Sequence, residues 1–342
     1  MNNFWKHRNV FVTGATGFIG ANLTARLVRE GASVTCLEPD RKNHSSLSLL
    51  GLHSSVRTVS GSIDDMPLLE RVLDESKIDA VFHLAAQSII GDANRSPIQT
   101  FETNIRGTYL LLEACRLNGN VKRIVVASSD KAYGSHKQLP YMEDFELKGE
   151  FPYDVSKACT DMLARSYYAA FRLPASVSRS ANVYGPADVN LSRVIPGTIL
   201  SVLAGENPII RSDGTPIREF IYIDDVVDAY LLVAENIQKT QGQAFNFGTR
   251  APVNILDLVN KIISLCGMSE KVVPSVQLSD KIKGEIDEQY ISGDKMEKVF
   301  GWRSQTNLDA GLAKTIDWYR ANADRLKREP SQIATKEFTH SS

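Results

Sequence analysis

The stretch NVFVTGATGFIGANL, residues 9–23, sets the architecture: an apolar run ending in Thr13 meets glycines spaced Gly14-x-x-Gly17-x-x-Gly20, and a helical pattern follows. Gly14 permits a tight turn, Gly17 lets the main chain approach a pyrophosphate, and Gly20 lets helix and strand pack closely. Thr16, Phe18 and Ile19 share that turn, and the helix N-terminus faces the phosphates. The next apolar run ends in Glu38, 18 residues after Gly20, where a carboxylate would bind ribose hydroxyls. An acid there favours NAD over NADP, although Arg41 close behind is placed to reach a 2′-phosphate.

Outward from this motif, strand-like runs alternate with helical patterns, the signature of a parallel sheet wrapped by helices. Strands are expected at Val10–Thr13, Ser33–Glu38, Val56–Ser60, Ala80–Leu84, Ile124–Ser128 and Ala175–Ser178. Helices are expected at Phe18–Arg29, Pro67–Glu75, Ile98–Leu117 and Tyr153–Phe171. After Tyr184-Gly185-Pro186 the pattern loosens. The fold class is therefore α/β, a Rossmann-type doubly wound parallel sheet with a smaller, interleaved C-terminal lobe. Residues 1–184 form the dinucleotide-binding domain, with segments at about 220–250 returning to it; 185–322 form the second lobe, and the polar 323–342 a flexible tail.

Of 342 residues, 43% are hydrophobic and 23% charged, an ordinary globular composition long enough for two lobes. A net charge of −1 offers nothing to attract nucleic acid or an anionic membrane. No stretch approaches the roughly 18 uninterrupted apolar residues of a membrane span. Cys36, Cys115, Cys159 and Cys266 lie far apart without metal-ligand spacing, which points to reduced thiols, a cytoplasmic setting and no structural metal.

Two further clusters carry chemistry. In PYDVSK, the spacing of four puts Tyr153 and Lys157 on one helical face, with Pro152 at the helix start. A phenol has an ordinary pKa of about 10, and a neighbouring ammonium together with a nicotinamide cation would favour the phenolate that a base near neutrality needs. In SSDKAYG, residues 128–134, a strand ends in a hydroxyl, a carboxylate and an ammonium in succession: Ser129, Asp130 and Lys131.

The ordered set TGATGFIG (13–20), FHLAAQ (82–87), ETNIRGT (102–108), SSDKAYG (128–134), YDVSK (153–157), NVYGP (182–186), RSDGTPIREFIYIDDVVDA (211–229) and FNFGT (245–249) resembles the extended short-chain dehydrogenases/reductases of the nucleotide-sugar epimerase and dehydratase group. The resemblance runs from residue 8 to about 320. It implies that Ser129, Tyr153 and Lys157 form the catalytic set, with Tyr153 taking the proton of the sugar 4-hydroxyl as C4 is oxidised. It further implies NAD contacts at Ser62, Ile63, Leu84, Ala85, Ala86, Asn104 and Ser128, and a homodimer.

The residues after Ser129 then distinguish the outcomes. Simple 4-epimerases of the group carry small or neutral residues there, dTDP-glucose 4,6-dehydratases carry Thr-Asp-Glu, and CDP-glucose enzymes carry Asp-Lys. Asp130-Lys131, with Gln87, therefore resembles the CDP-glucose pattern, Asp130 acting as acid at C6 and Lys131 acting at C5. Which of the two moves each proton stays open, as do a 4-epimerase and a non-catalytic NAD-binding regulator on the same fold. For the nucleotide diphosphate the resemblance implies Arg218, Asn182, Asn190 and Arg193. Two departures stand out: Ser62 replaces the usual acid of the adenine site, and Asp287, Glu288 and Gln289 occupy the segment where relatives usually place a phosphate-binding arginine. His83 is expected to be a packed strand residue, and Asp224-Asp225 a helix opening.

Overall fold

Both faces of the first strand are buried, which places it mid-sheet. Val10 and Val12 enter one core with Phe82 and Val125, while Phe11 enters the other with Val81, Ile124 and Val126. The computed structural model describes residues 3–39, 45–277 and 286–326; Arg41 and most of the expected tail, 327–342, lie outside them. Six strands, β1 (Asn9–Thr13), β2 (Ser33–Glu38), β3 (Arg57–Ser60), β4 (Ala80–His83), β5 (Arg123–Ala127) and β6 (Ala175–Ser180), run parallel in the order 3-2-1-4-5-6. The chain then lays down β7 (Asn182–Tyr184), β8 (Ile209–Ile210) and β9 (Ile217–Tyr222) before β10 (Ala244–Phe247) rejoins the large sheet beside β6 as its seventh strand. β9 pairs with β7, with β11 (Pro252–Asn254) and with β13 (Glu288–Gln289), and β8 pairs with β12 (Ser275–Val276). The order reverses between β1 and β4, and in open α/β sheets a ligand crevice forms outside the strand ends at such a switch point.

One long helix was expected over Ile98–Leu117; the structure divides that region. A helix Pro97–Phe101 passes through a π-turn, Glu102–Arg106, into the helix Gly107–Asn118. The π-turn frees the Asn104 carbonyl to accept from Thr160 at 3.0 Å as well as from Thr108 at 2.5 Å, and buried Asn104 bonds Ser156 Oγ at 2.8 Å. The C-terminal helix Leu308–Leu326 also runs past residue 322. Asp225, in the first turn of the helix Ile223–Glu235, accepts from the Gln305 and Thr306 N–H groups, each at 3.0 Å, and ties the C-terminal segment to the sheet.

The helix Pro152–Phe171 and the 3₁₀ turn Asp130–Tyr133 are joined by a buried guanidinium. Arg179, on β6 and 1% exposed, donates to Asp161 Oδ2 at 2.8 Å, to Tyr133 Oη at 2.7 Å and to the Glu143 carbonyl at 3.1 Å. Tyr133 in turn donates to Asn246 Oδ1 of β10 at 2.8 Å. Breaking one side of such a pair strands a charge, so Arg179→Met is expected to lower the unfolding free energy by about 3–5 kcal/mol in urea titrations. Arg179→Met with Asp161→Asn is expected to cost less than the sum of the single changes.

Candidate active site

Above the C-terminal strand ends lies a cleft of about 1010 Å³. Its floor is the glycine turn. Gly14 holds φ +73°, and a Cβ there would meet Ala85 N at 2.6 Å; a Cβ on Gly20 would overlap the Gly14 carbonyl. The helix Phe18–Arg29 therefore starts against β1 with its first N–H groups facing the cleft. Thr16, Gly17, Phe18 and Ile19 line this end, together with Ser62, Ile63, Leu84, Ala85 and Ala86. A main-chain cradle closed to side chains, at a helix N-terminus, fits a dinucleotide pyrophosphate.

Three residues expected at the cofactor or substrate lie outside the cleft lining. Glu38 is buried with Oε1 3.4 Å from His53 Nε2. The Gln87 side chain accepts from Ile89 N at 3.3 Å, at the start of the helix Ile90–Arg95. Buried Asn104 holds the Gln87 main chain, accepting from its N–H at 2.7 Å and donating to its carbonyl at 3.1 Å. His83 is likewise a core residue, bridging Thr13 at 2.8 Å and Thr108 at 2.9 Å, and burial lowers its pKa to about 3.

The middle of the cleft brings together Ser128, Ser129, Asp130, Lys131, Tyr153 and Lys157. Ser129 caps the 3₁₀ turn: its Oγ accepts from Lys131 N at 3.2 Å and donates to Asp130 Oδ1 at 3.0 Å. Burial pushes the Tyr153 phenol up to about 12, against the opposing pull of the neighbouring Ser129 hydroxyl and of the Arg193 charge. The lowered phenol pKa expected from the YxxxK spacing is thus not produced by the protein's own groups, because desolvation of the phenolate outweighs them. Lys157 is held by a donation to the Ala127 carbonyl at 2.8 Å, and burial lowers it to about 8. Ser128 Oγ donates to the Lys157 carbonyl at 2.9 Å, fixing the helix against the strand end.

Asp130 is 3% exposed, and its Oδ2 stands 3.5 Å from Lys131 Nζ. Burial lowers the Lys131 pKa and the Asp130 charge opposes this. Buried Gln289, on β13, contacts both residues: its Nε2 donates to the Asp130 carbonyl at 3.2 Å, and its Oε1 accepts from Lys131 Nζ. Sequence reading marks Gln289 as a departure but assigns it no partner, since both partners lie more than 150 positions away. Asp154, beside Tyr153, also lines the cleft.

The far end carries Asn182, Asn190, Arg193 and Arg218. Arg193 pairs with Asp188 at 2.9 Å, Asn190 folds on Ser192, and Asn182 donates to the Glu219 carbonyl at 3.0 Å. Arg218 donates to the Ile217 and Asp287 carbonyls, which keeps its guanidinium at the rim. Arg211, just after β8, lines the cleft as well, adding a third guanidinium to a set suited to a diphosphate. Among the described residues no group of three acidic, His or Cys side chains could hold a metal ion, and no helix is long and apolar enough to cross a membrane.

Residues 10–248 match the model of the NAD dependent epimerase/dehydratase family. The chain belongs to this family. Its cofactor is NAD. Three Arabidopsis thaliana proteins, each named as a trifunctional UDP-glucose 4,6-dehydratase/UDP-4-keto-6-deoxy-D-glucose 3,5-epimerase/UDP-4-keto-L-rhamnose-reductase, are 30% identical over at least 93% of this chain, and the chain spans about half, 48%, of their length. The CDP-glucose 4,6-dehydratase of Salmonella typhimurium is 30% identical over 338 residues, covering 93% of this chain and 92% of that protein. Among solved structures, the dTDP-glucose 4,6-dehydratase of Bacillus anthracis in complex with NAD superposes with TM-score 0.82 at 27% identity, over 94% of this chain and 100% of that one. The UDP-glucose 4-epimerase of Thermotoga maritima with UDP-glucose does so with TM-score 0.83 at 29% identity, over 92% and 99%.

Within this family site, Asp154 offers a direct check on the electrostatics. Burial raises its carboxyl to about 6 from the ordinary 3.8, against the opposing Lys131 charge. A raised carboxyl stabilises the fold in its protonated form, and that stability is lost as pH rises through about 6. Asp154→Asn is therefore expected to remove a stability loss of up to about 3 kcal/mol between the two pKa values, measured as the slope of unfolding free energy against pH.

Proposed function

We propose that the protein is a nucleotide-sugar 4,6-dehydratase, converting an NDP-hexose to the NDP-4-keto-6-deoxyhexose with net loss of one water. The carrying observation is that one cleft holds two functional sets side by side: Ser129, Tyr153 and Lys157 for oxidation at C4, and Asp130 with Lys131 for chemistry at C5 and C6. Bound NAD supplies the redox chemistry, taking a hydride from C4 and returning it to C6.

The residues divide the remaining work. Tyr153 takes the proton of the 4-hydroxyl as the C4 carbonyl forms, with Ser129 hydrogen-bonded to the same oxygen and Lys157 holding the cofactor ribose. The 4-ketone acidifies the C5 proton, which Lys131 removes; burial has already weakened that ammonium's hold on its proton. Asp130 delivers a proton to the departing C6 hydroxyl, so the C6–O bond breaks and water leaves. C5 regains a proton when C6 is reduced, leaving the 4-keto-6-deoxy sugar.

Arg218, Arg193, Asn182 and Asn190 are the groups we assign to the nucleotide diphosphate. The Asp-Lys pair favours a CDP-glucose type substrate, and the relatives are named for UDP-, dTDP- and CDP-glucose. The likeness to a UDP-glucose 4-epimerase supports one other reading, in which the ketone turns over and is reduced again at C4. A homodimer is supported by the outward-facing Tyr109, Leu117, Met162 and Phe171 on the helices Gly107–Asn118 and Pro152–Phe171.

Mass spectrometry of products formed in deuterated water from CDP-, UDP- and dTDP-glucose, UDP-N-acetylglucosamine and GDP-mannose tests the assignment. Loss of one water with deuterium at C5 is expected for one of them; a stereoisomer of unchanged mass would establish the epimerase instead. Tyr153→Phe is expected to lower turnover at least about 100-fold, the order that general-base catalysis supplies, while NAD stays bound.

A further inference from the structure

Gln289 sits at the register position opposite Arg218 in the β9–β13 pair and is 1% exposed. Its amide is satisfied by the elimination turn alone: Nε2 donates to the Asp130 carbonyl at 3.2 Å and Oε1 accepts from Lys131 Nζ. These contacts admit one orientation, because a flipped amide would set its NH₂ against the ammonium and its oxygen against a carbonyl. The strand itself is fixed from both sides: Tyr141 N–H donates to the Tyr290 carbonyl at 3.0 Å, and Ile291 N–H donates to Glu219 Oε2 at 3.1 Å. The glutamine is thus a rigid two-point clamp on a mobile-type side chain.

We propose that Gln289 is a positioning residue for proton transfer at C5, holding the Lys131 amine in the cleft and setting the Asp130 backbone that aims the acid at C6. This rests on the dehydratase reading and extends it to a residue in the segment where relatives usually carry a phosphate-binding cation. The chemistry explains an amide here. Lys131 faces Asp130 on its own turn, Asp154 on the helix Pro152–Phe171 and Arg218 on β9. A carboxylate at 289 would add a further negative charge and hold the ammonium in its protonated form. A neutral acceptor orients the amine and leaves its proton exchangeable.

The test compares Gln289→Leu and Gln289→Glu with wild type in two readouts: the single-turnover absorbance change of C4 oxidation, and deuterium exchange at C5 with water loss, both followed against pH with the sugar nucleotide that wild type dehydrates. Gln289→Leu is expected to slow elimination by about 10- to 100-fold, the penalty of a misplaced proton-transfer group, with C4 oxidation within about twofold of wild type. Gln289→Glu, nearly isosteric and independent of whether the leucine variant folds, is expected to move the rising limb of elimination upward by about one pH unit. Wild-type elimination rates and an unmoved limb in the folded, NAD-bound Gln289→Glu protein would overturn the proposal while leaving the dehydratase reading intact. A wild type that releases no water from any sugar nucleotide in the panel would overturn both.

Discussion

A buried guanidinium must find acceptors for its N–H groups, and the arrangement of this active site follows from how Arg179 does so. One arm reaches Asp161 on the helix that carries Tyr153 and Lys157, and another reaches Tyr133 in the turn that carries Asp130 and Lys131. The strand supplying Arg179 also pairs with β5, whose end supplies Ser128 and Ser129. Three separately encoded pieces of chain are held to one frame by a cation that cannot be moved without leaving a charge in the core. The frame is insulated from the cleft, so a ligand entering it meets a site whose internal geometry is already set.

On that frame burial acts differently on each titratable group. It raises Tyr153, raises Asp154, and lowers Lys131 and Lys157. Every shift runs toward the neutral form, as desolvation requires. For Asp154, Lys131 and Lys157 this brings the charged and neutral forms closer in energy near neutral pH, whereas for Tyr153 it moves them further apart. Ser129 stands between the helix and turn segments, its Oγ donating to Asp130 and lying beside the Tyr153 phenol.

Much of this was legible in the residues because it is local. The glycine spacing names a strand, a turn and a helix within fifteen positions, and YxxxK fixes a helical face by its period. Apolar periodicity also located six of the seven strands of the large sheet to within a residue or two, but not β10. What periodicity does not register is a π-turn: Ile98–Leu117 keeps its apolar rhythm through Glu102–Arg106, and only the hydrogen bonds of Asn104 show why the helix is offset there. The contacts of Glu38 with His53 and of Gln289 with Lys131 were likewise invisible, since each depends on a side-chain direction that neither composition nor spacing carries. The burial that opposes the Tyr153 phenolate was invisible for a related reason: neighbouring charge is readable from spacing, whereas burial is a property of the closed fold.

The central claim is that oxidation at C4 and elimination at C5 and C6 are carried by different side chains of one cleft. A single turnover of the Lys131→Met protein, followed through the near-ultraviolet absorbance of the reduced nicotinamide, tests it most directly. The account expects that absorbance to rise as in wild type and then to persist, because the C4 ketone forms and the C5 proton stays in place. A rise followed by decay at the wild-type rate, with the dehydrated sugar released, would contradict it.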